Sequence, residues 1–160
     1  MQKGQAETII MYYHEIPGMM RLLRQERADL EEEYCGLRGT PMDGVPRGPA
    51  LGNPTAVLAE RAEEKGLEYR LREIEVKMTV LAGDKAVIQG CIDSLRGKYK
   101  RLLFMRHPGR YSWARIAVEM GVPDTTARRW YGKAVERLGE ALADVPMVEE
   151  ILGRASCARV

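Results

Sequence analysis

Residues 112–138 read SWARIAVEMGVPDTTARRWYGKAVERL, and the fold turns on how this stretch is read. Two short helices fit it, joined by a tight turn at Gly121-Val122-Pro123. The first carries Trp113, Ile116, Ala117 and Met120 on its inner face. The second opens at Asp124 as N-cap and is expected to bury Ala127, Trp130, Val135 and Leu138. Two helices crossing at a steep angle need a small side chain at the crossing, here Ala117. The corner needs a residue at ease with positive φ, here Gly121. Trp113, Ile116, Ala117, Met120, Gly121, Val122 and Trp130 are therefore the expected core of a helix-turn-helix. The outward positions of its second helix are Thr125, Arg128, Arg129 and Lys133. Short hydroxyls and guanidinium groups on one helical face suit entry into a major groove.

A helical hairpin with a glycine corner could serve packing alone, and the charge distribution argues for more than that. Residues 96–139 hold eleven Lys/Arg against three Asp/Glu. Residues 1–95 hold twelve basic against sixteen acidic residues, and the remainder two against four. A formal net charge of only +2 thus conceals one strongly basic segment laid over the candidate reading helix. Such an asymmetry is the electrostatic footprint of a nucleic-acid binder. Thr125, Arg128 and Arg129 are the candidate base-reading residues. Lys100, Arg106, Arg110, Arg115, Lys133 and Arg137 are the candidate phosphate contacts.

At 160 residues, with 30% charged and 6% aromatic residues, the chain suits amphipathic helices better than a sheet. No stretch approaches the roughly 18 continuous apolar residues of a membrane span. The opening MQKGQAETII lacks the basic start and apolar run of a signal peptide, so a cytoplasmic location is expected. Cys35, Cys91 and Cys157 are odd in number, far apart and form no CxxC pair. They are read as reduced thiols, with no metal site.

Residues 6–37 repeat apolar side chains at helical spacing through Ile9, Tyr12, Ile16, Met19, Leu23, Leu30, Tyr34 and Leu37. Pro17, followed by Gly18, is expected to break this helix. The Gly/Pro-rich stretch 36–53 is a long loop that reverses the chain, with Arg38 and Arg47 as its exposed cations. Asn53-Pro54-Thr55 is a helix start. The second helix, to about residue 82, carries the stripe Val57, Leu58, Ala62, Leu67, Leu71, Ile74, Met78 and Leu81. Gly83-Asp84 is expected to end it and cap a third helix, residues 85–105, packed antiparallel on the second. His107-Pro108-Gly109 closes the third helix. A short amphipathic helix over 145–154 and a frayed tail around Cys157 complete the chain. The expected domains are a helical arm to residue 95, a helix-turn-helix domain over 96–140 and a terminal segment over 141–160.

No GxSxG, HExxH, dinucleotide fingerprint or phosphate loop is present. The reading is accordingly of a non-enzymatic protein without cofactor or metal.

The segment Leu102–Leu138, through Tyr111, Ser112, Trp113, Ile116, Ala117 and Gly121, resembles the helix-turn-helix of sigma factor region 4. More closely it is similar to the sigma-like regulators encoded by phages and prophages, of the ArpU/RinA type. The upstream part resembles them too, with a charged helix, a Gly/Pro loop and a long helix pair. Two positions depart from that pattern: the approach to the first helix is His107-Pro108-Gly109-Arg110, and Ala127 stands where a β-branched residue is common. The resemblance implies activation of late phage functions such as packaging or lysis.

The expectation is therefore an all-α protein, a helical hairpin or coiled-coil arm followed by a helix-turn-helix, that binds double-stranded DNA and regulates transcription. A homodimer through the N-terminal helices is expected, with RNA polymerase a further candidate partner and no membrane association. Two rival readings remain. One is a small terminase-like DNA-packaging subunit. The other is a sigma-like interaction module acting on RNA polymerase or another host machine.

Overall fold

The computed structural model describes residues 1–37 and 54–158, apart from the side chains of 36, 37, 54–60 and 62. The described residues form six helices and no strand: α1 (Lys3–Leu37), α2 (Pro54–Asp93), α3 (Gly97–Arg106), α4 (Trp113–Met120), α5 (Asp124–Ala143) and α6 (Val148–Cys157). The protein is all-α, as its periodicity requires. The expected loop with Arg38 and Arg47 lies outside the described residues, as do the side chains of the stripe positions Val57, Leu58 and Ala62.

The chain forms two compact units. One comprises Met1–Gly18 with Leu81–Val160, the other Met19–Val80. The second unit pairs the later part of α1 with the earlier part of α2. Its core is Leu30, Leu67 and Ile74, flanked by Leu23, Tyr34, Leu71 and Met78. Tyr34 donates its hydroxyl to Glu68 at 3.0 Å. Acid–base pairs one turn apart line its surface, among them Arg27–Glu31 and Glu73–Lys77.

In the first unit the start of α1 packs with the C-terminal half of the chain. Ala6, Ile9, Ile10, Tyr12, Tyr13 and Ile16 are buried there, together with Ile88, Ile92, Leu102, Leu103, Ile116, Leu138, Leu142 and Ile151. The Ala6 methyl and the Met1 carbonyl approach Gly139 of α5 so closely that a Cβ there would lie 3.8 and 3.7 Å from them. This is where the structure departs from a division at residue 95. Residues 1–18 are not an arm; their apolar face closes the core of the helix-turn-helix unit.

Three local expectations are corrected. Pro17 does not break α1, which runs unbroken with Pro17 inside it. A proline removes one backbone hydrogen bond and crowds the preceding turn, but Tyr13 and Ile16 before it and Leu30 after it are anchored by burial. Gly83-Asp84 does not end α2, which continues to Asp93, and the break falls at 94–96 instead. The third helix is therefore short, and it packs on α4 and α5. Finally, α6 begins at Val148 and extends through Cys157, so that residue ends a helix whose Ile151 and Ala155 are fully buried.

The reason α2 passes Gly83 lies at Asp84. The residue is only 2% exposed, and a buried carboxylate is stable only when paired and hydrogen-bonded. Arg154 of α6 supplies a bidentate pair, Nη2 to Oδ1 at 2.7 Å and Nε to Oδ2 at 2.8 Å. Tyr12 of α1 donates its hydroxyl to Oδ2 at 2.8 Å. Glycine inside a helix costs about 1 kcal/mol, less than the loss of such a cluster. The Asp84 bond holds the Arg154 guanidinium charged, and burial, with Asp84 adding to it, pushes the Tyr12 hydroxyl well above its ordinary pKa. Replacing Arg154 by Met should leave Asp84 buried with Tyr12 alone and cost about 3–5 kcal/mol in urea unfolding. Replacing Lys77 by Met, which breaks an exposed pair, should cost less than about 1 kcal/mol. Equal losses for the two variants would refute the central role of Asp84.

Candidate nucleic-acid interface

The helix-turn-helix is assembled by local chemistry that the sequence announces. Ser112 caps α4, its hydroxyl accepting from the Arg115 N–H at 3.3 Å. Gly121 ends α4 in the left-handed region, φ 64° and ψ 34°, and its N–H returns to the carbonyls of Ala117 and Val118. The Val122 N–H bonds to the Ala117 carbonyl at 3.0 Å. The chain then passes Pro123, whose carbonyl accepts from Thr126 and Ala127, and enters α5. Asp124 is thus the first helical residue rather than the cap. Its carboxylate still suits the positive end of the helix dipole, and Oδ2 accepts from Arg128 Nε at 2.9 Å.

The buried side of α5 holds Ala127, Tyr131, Ala134, Val135, Leu138, Gly139 and Leu142. Trp130, expected in this core, is only half-buried, and Tyr131 occupies the interior at 7% exposure. Both positions satisfy helical spacing from Ala127. What selects Tyr131 is non-local: its hydroxyl lies 2.8 Å from His107 Nε2 and donates to Glu7 of α1 at 3.2 Å. Trp130 lies at the flank instead, with Lys98 Nζ 4.6 Å above its ring. Ile116 is fully buried, while Trp113, Ala117, Met120 and Val122 are half-buried around the corner.

Thr125, Arg128, Arg129 and Lys133 are all exposed on the opposite face of α5. The other candidate cations surround the unit unevenly. Arg115 is exposed and lies 4.0 Å over the Tyr111 ring. Arg106, at the end of α3, donates to the Tyr111 carbonyl at 3.2 Å. Arg110 is exposed in the turn between α3 and α4 with φ 48°. Beside it Gly109 is required, since a Cβ would meet the Met105 carbonyl oxygen at 2.8 Å. Lys100 pairs with Asp93 at 3.0 Å, and Arg137 with Glu140 at 3.0 Å. Such exposed pairs are weak and leave the cations exchangeable. The sequence reading missed Tyr131 and Glu7; a helical wheel marks Tyr131 as apolar, but nothing local signals a partner 124 residues away.

His107 and His14 face each other across the packing of α1 on this unit. The His14 ring stacks edge-on with Tyr13 and Phe104. Its pKa is lowered from 6.5, first by burial and then by His107, and a bond to the His107 backbone offsets only part of this. His107 is lowered by burial and then by Arg106, with Glu7 opposing. Burial, and after it Glu7, raises the Tyr131 hydroxyl far above its ordinary value.

The fold therefore favours the neutral form of both histidines. As pH falls through 6.5, the unfolded chain takes up protons before the native one. Stability is full above that value and falls as pH drops toward the depressed native pKa values. The carboxylates Glu73 and Asp93, ordinarily at 4.5 and 3.8 and lowered further here, act only at more acid pH. The urea midpoint should thus fall between about pH 7 and about pH 5.5, and His14→Gln with His107→Gln together should flatten most of that slope. An unchanged slope in the double variant would exclude the pair as its source.

With this geometry in view, residues 85–138 match the family model of sigma-70, region 4. The segment is thus similar to sigma-70 region 4, a family of DNA-binding, non-enzymatic helix-turn-helix domains. No curated protein and no solved structure matches the chain. No helix among the described residues is long and apolar enough to cross a membrane, and no three His, Cys, Asp or Glu side chains among them gather as a metal site.

Proposed function

We propose that this protein is a sequence-specific DNA-binding regulator of transcription, of phage or mobile-element origin, acting in the bacterial cytoplasm. The observation that carries this reading is the face of α5. Behind the left-handed corner at Gly121, Thr125, Arg128, Arg129 and Lys133 are exposed together on a helix whose other side is fully committed to the core. In this reading Thr125, Arg128 and Arg129 contact base edges. Arg106, Arg110, Arg115, Lys133, Arg137 and Lys100 neutralise phosphates. A sigma-like role on RNA polymerase is a second reading, favoured by the region 4 match and by Val118, 82% exposed on α4.

The test begins with selection of a preferred duplex from a randomised library by the wild-type protein, followed by affinity for that duplex and for random DNA across salt. Arg128→Ala should cost roughly 1–3 kcal/mol on the selected duplex and relax its sequence preference. Lys133→Ala should weaken binding to every duplex and lower the salt slope by about one. Equal loss of Arg128→Ala on selected and random DNA would remove its base-reading role. Failure to enrich any sequence would favour the polymerase-docking reading.

The reading includes a homodimer through the N-terminal helices. In the Met19–Val80 unit, Leu22, Tyr69, Val76 and Val80 are exposed. The helical repeat puts Tyr69, Val76 and Val80 on the side of α2 opposite Leu67, Leu71, Ile74 and Met78. A two-helix unit has little core of its own, and a second copy would cover this stripe. Val76→Glu should convert a dimer to a monomer by light scattering with helicity unchanged. A wild-type monomer at tens of micromolar or a many-subunit ring would overturn the dimer.

A further inference from the structure

Two guanidinium groups from different elements converge on one indole. Arg106, the last residue of α3, places Cζ 4.9 Å from the centroid of the Trp113 ring, and Arg128, in the second turn of α5, places Cζ 5.2 Å from it. Trp113 is the first residue of α4 and is itself oriented by Tyr131, edge-on at 5.3 Å and 74°. Tyr131 is in turn fixed by His107 and Glu7. The indole is thus the half-buried end of a chain of contacts that reaches into the core, and its ring supports two cations, the exposed Arg128 and the half-buried Arg106.

Indole is the strongest aromatic partner for a guanidinium, and long arginine side chains otherwise lose much rotamer freedom on binding. Secondary contacts complete the fixing of each one: Arg106 donates to the Tyr111 carbonyl at 3.2 Å, and Arg128 to Asp124 at 2.9 Å. We infer that Trp113 is a positioning residue. Its ring sets the directions of Arg106 and Arg128 before DNA arrives, so that the phosphate contact at the end of α3 and the base contact on α5 are presented in one register. The inference rests on reading α5 as the DNA-reading helix. It adds that the affinity of that helix depends on a side chain that touches no base. The coupling has a direct consequence: substitutions at Trp113 and at the arginines must not act independently.

The test uses the full-length protein with Trp113→Met, which keeps apolar volume without an aromatic face, and Trp113→Phe, which restores a face. Affinity is measured for a duplex selected by the wild-type protein and for random duplex of equal length. Trp113→Met should lose about five-fold on the selected duplex and less on random DNA. Trp113→Phe should recover most of that loss. In an Arg106→Ala, Arg128→Ala background the Trp113→Met effect should vanish. Without DNA, the Nε–Hε resonances of Arg106 and Arg128 should show ring-current shifts in the wild type that disappear in Trp113→Met. Additive losses, no recovery with Phe, or random-coil resonances for both arginines in the wild type would each overturn the positioning role, and the last decides even where Trp113→Met does not fold. A wild type that enriches no sequence, with the shifted resonances intact, would instead sink the reading of α5 while leaving the platform in place.

Discussion

A carboxylate in the interior of a protein has to be matched, and the Asp84 carboxylate is matched by groups from both ends of the chain. Tyr12 comes from α1 and Arg154 from α6, while Asp84 itself sits within the longest helix. Buried ion pairs of this kind contribute less to net stability than to the choice of one arrangement over others, because any arrangement that separates the partners strands a charge. Here the constraint decides several features at once. It keeps α2 helical through Gly83, brings α6 onto the unit, and holds the first turns of α1 where their apolar face can cover α5. The contact of Ala6 with Gly139 and the bond of Glu7 to Tyr131 follow from that docking.

The outer face works on the opposite energetic regime. Arg128–Asp124, Arg137–Glu140, Lys100–Asp93 and Arg101–Glu119 are pairs of partly exposed side chains, where screening leaves each interaction near or below about 1 kcal/mol. A phosphate can take over such a cation at little cost, with release of counterions as an added gain. The aromatic contacts differ. Arg115 on Tyr111, Lys98 on Trp130, and Arg106 and Arg128 on Trp113 hold cations by a ring face, an interaction that itself uses none of their hydrogen-bond donors. The basic segment therefore combines weakly held and pre-oriented charges around one rigid corner.

What the sequence by itself determined was whatever depends on neighbours a few residues away. Apolar spacing of three and four specified the helices. A serine before Trp113 and a glycine after Met120 marked both ends of α4, and Gly121 adopts the left-handed backbone that its position in the corner demands. Thr125, Arg128, Arg129 and Lys133 fall on one exposed face because α5 is helical and its other face is apolar. The concentration of Lys and Arg over residues 96–139 needs no structure to be counted.

The tertiary structure decided the rest, for a consistent physical reason: local preferences here differ by about 1–3 kcal/mol, and burial over long sequence distances outweighs them. Pro17 and Gly83 are locally unfavourable in a helix, yet anchored side chains on either side carry α1 and α2 through them. Trp130 and Tyr131 fit the helical repeat equally, and only His107 and Glu7 choose Tyr131 for the interior. Asp84 reads as a cap because Asp after Gly commonly is one; its role as a buried anchor exists only once Arg154, 70 residues away, is beside it. No window of sequence contains both residues, and so no pattern within one could have paired them.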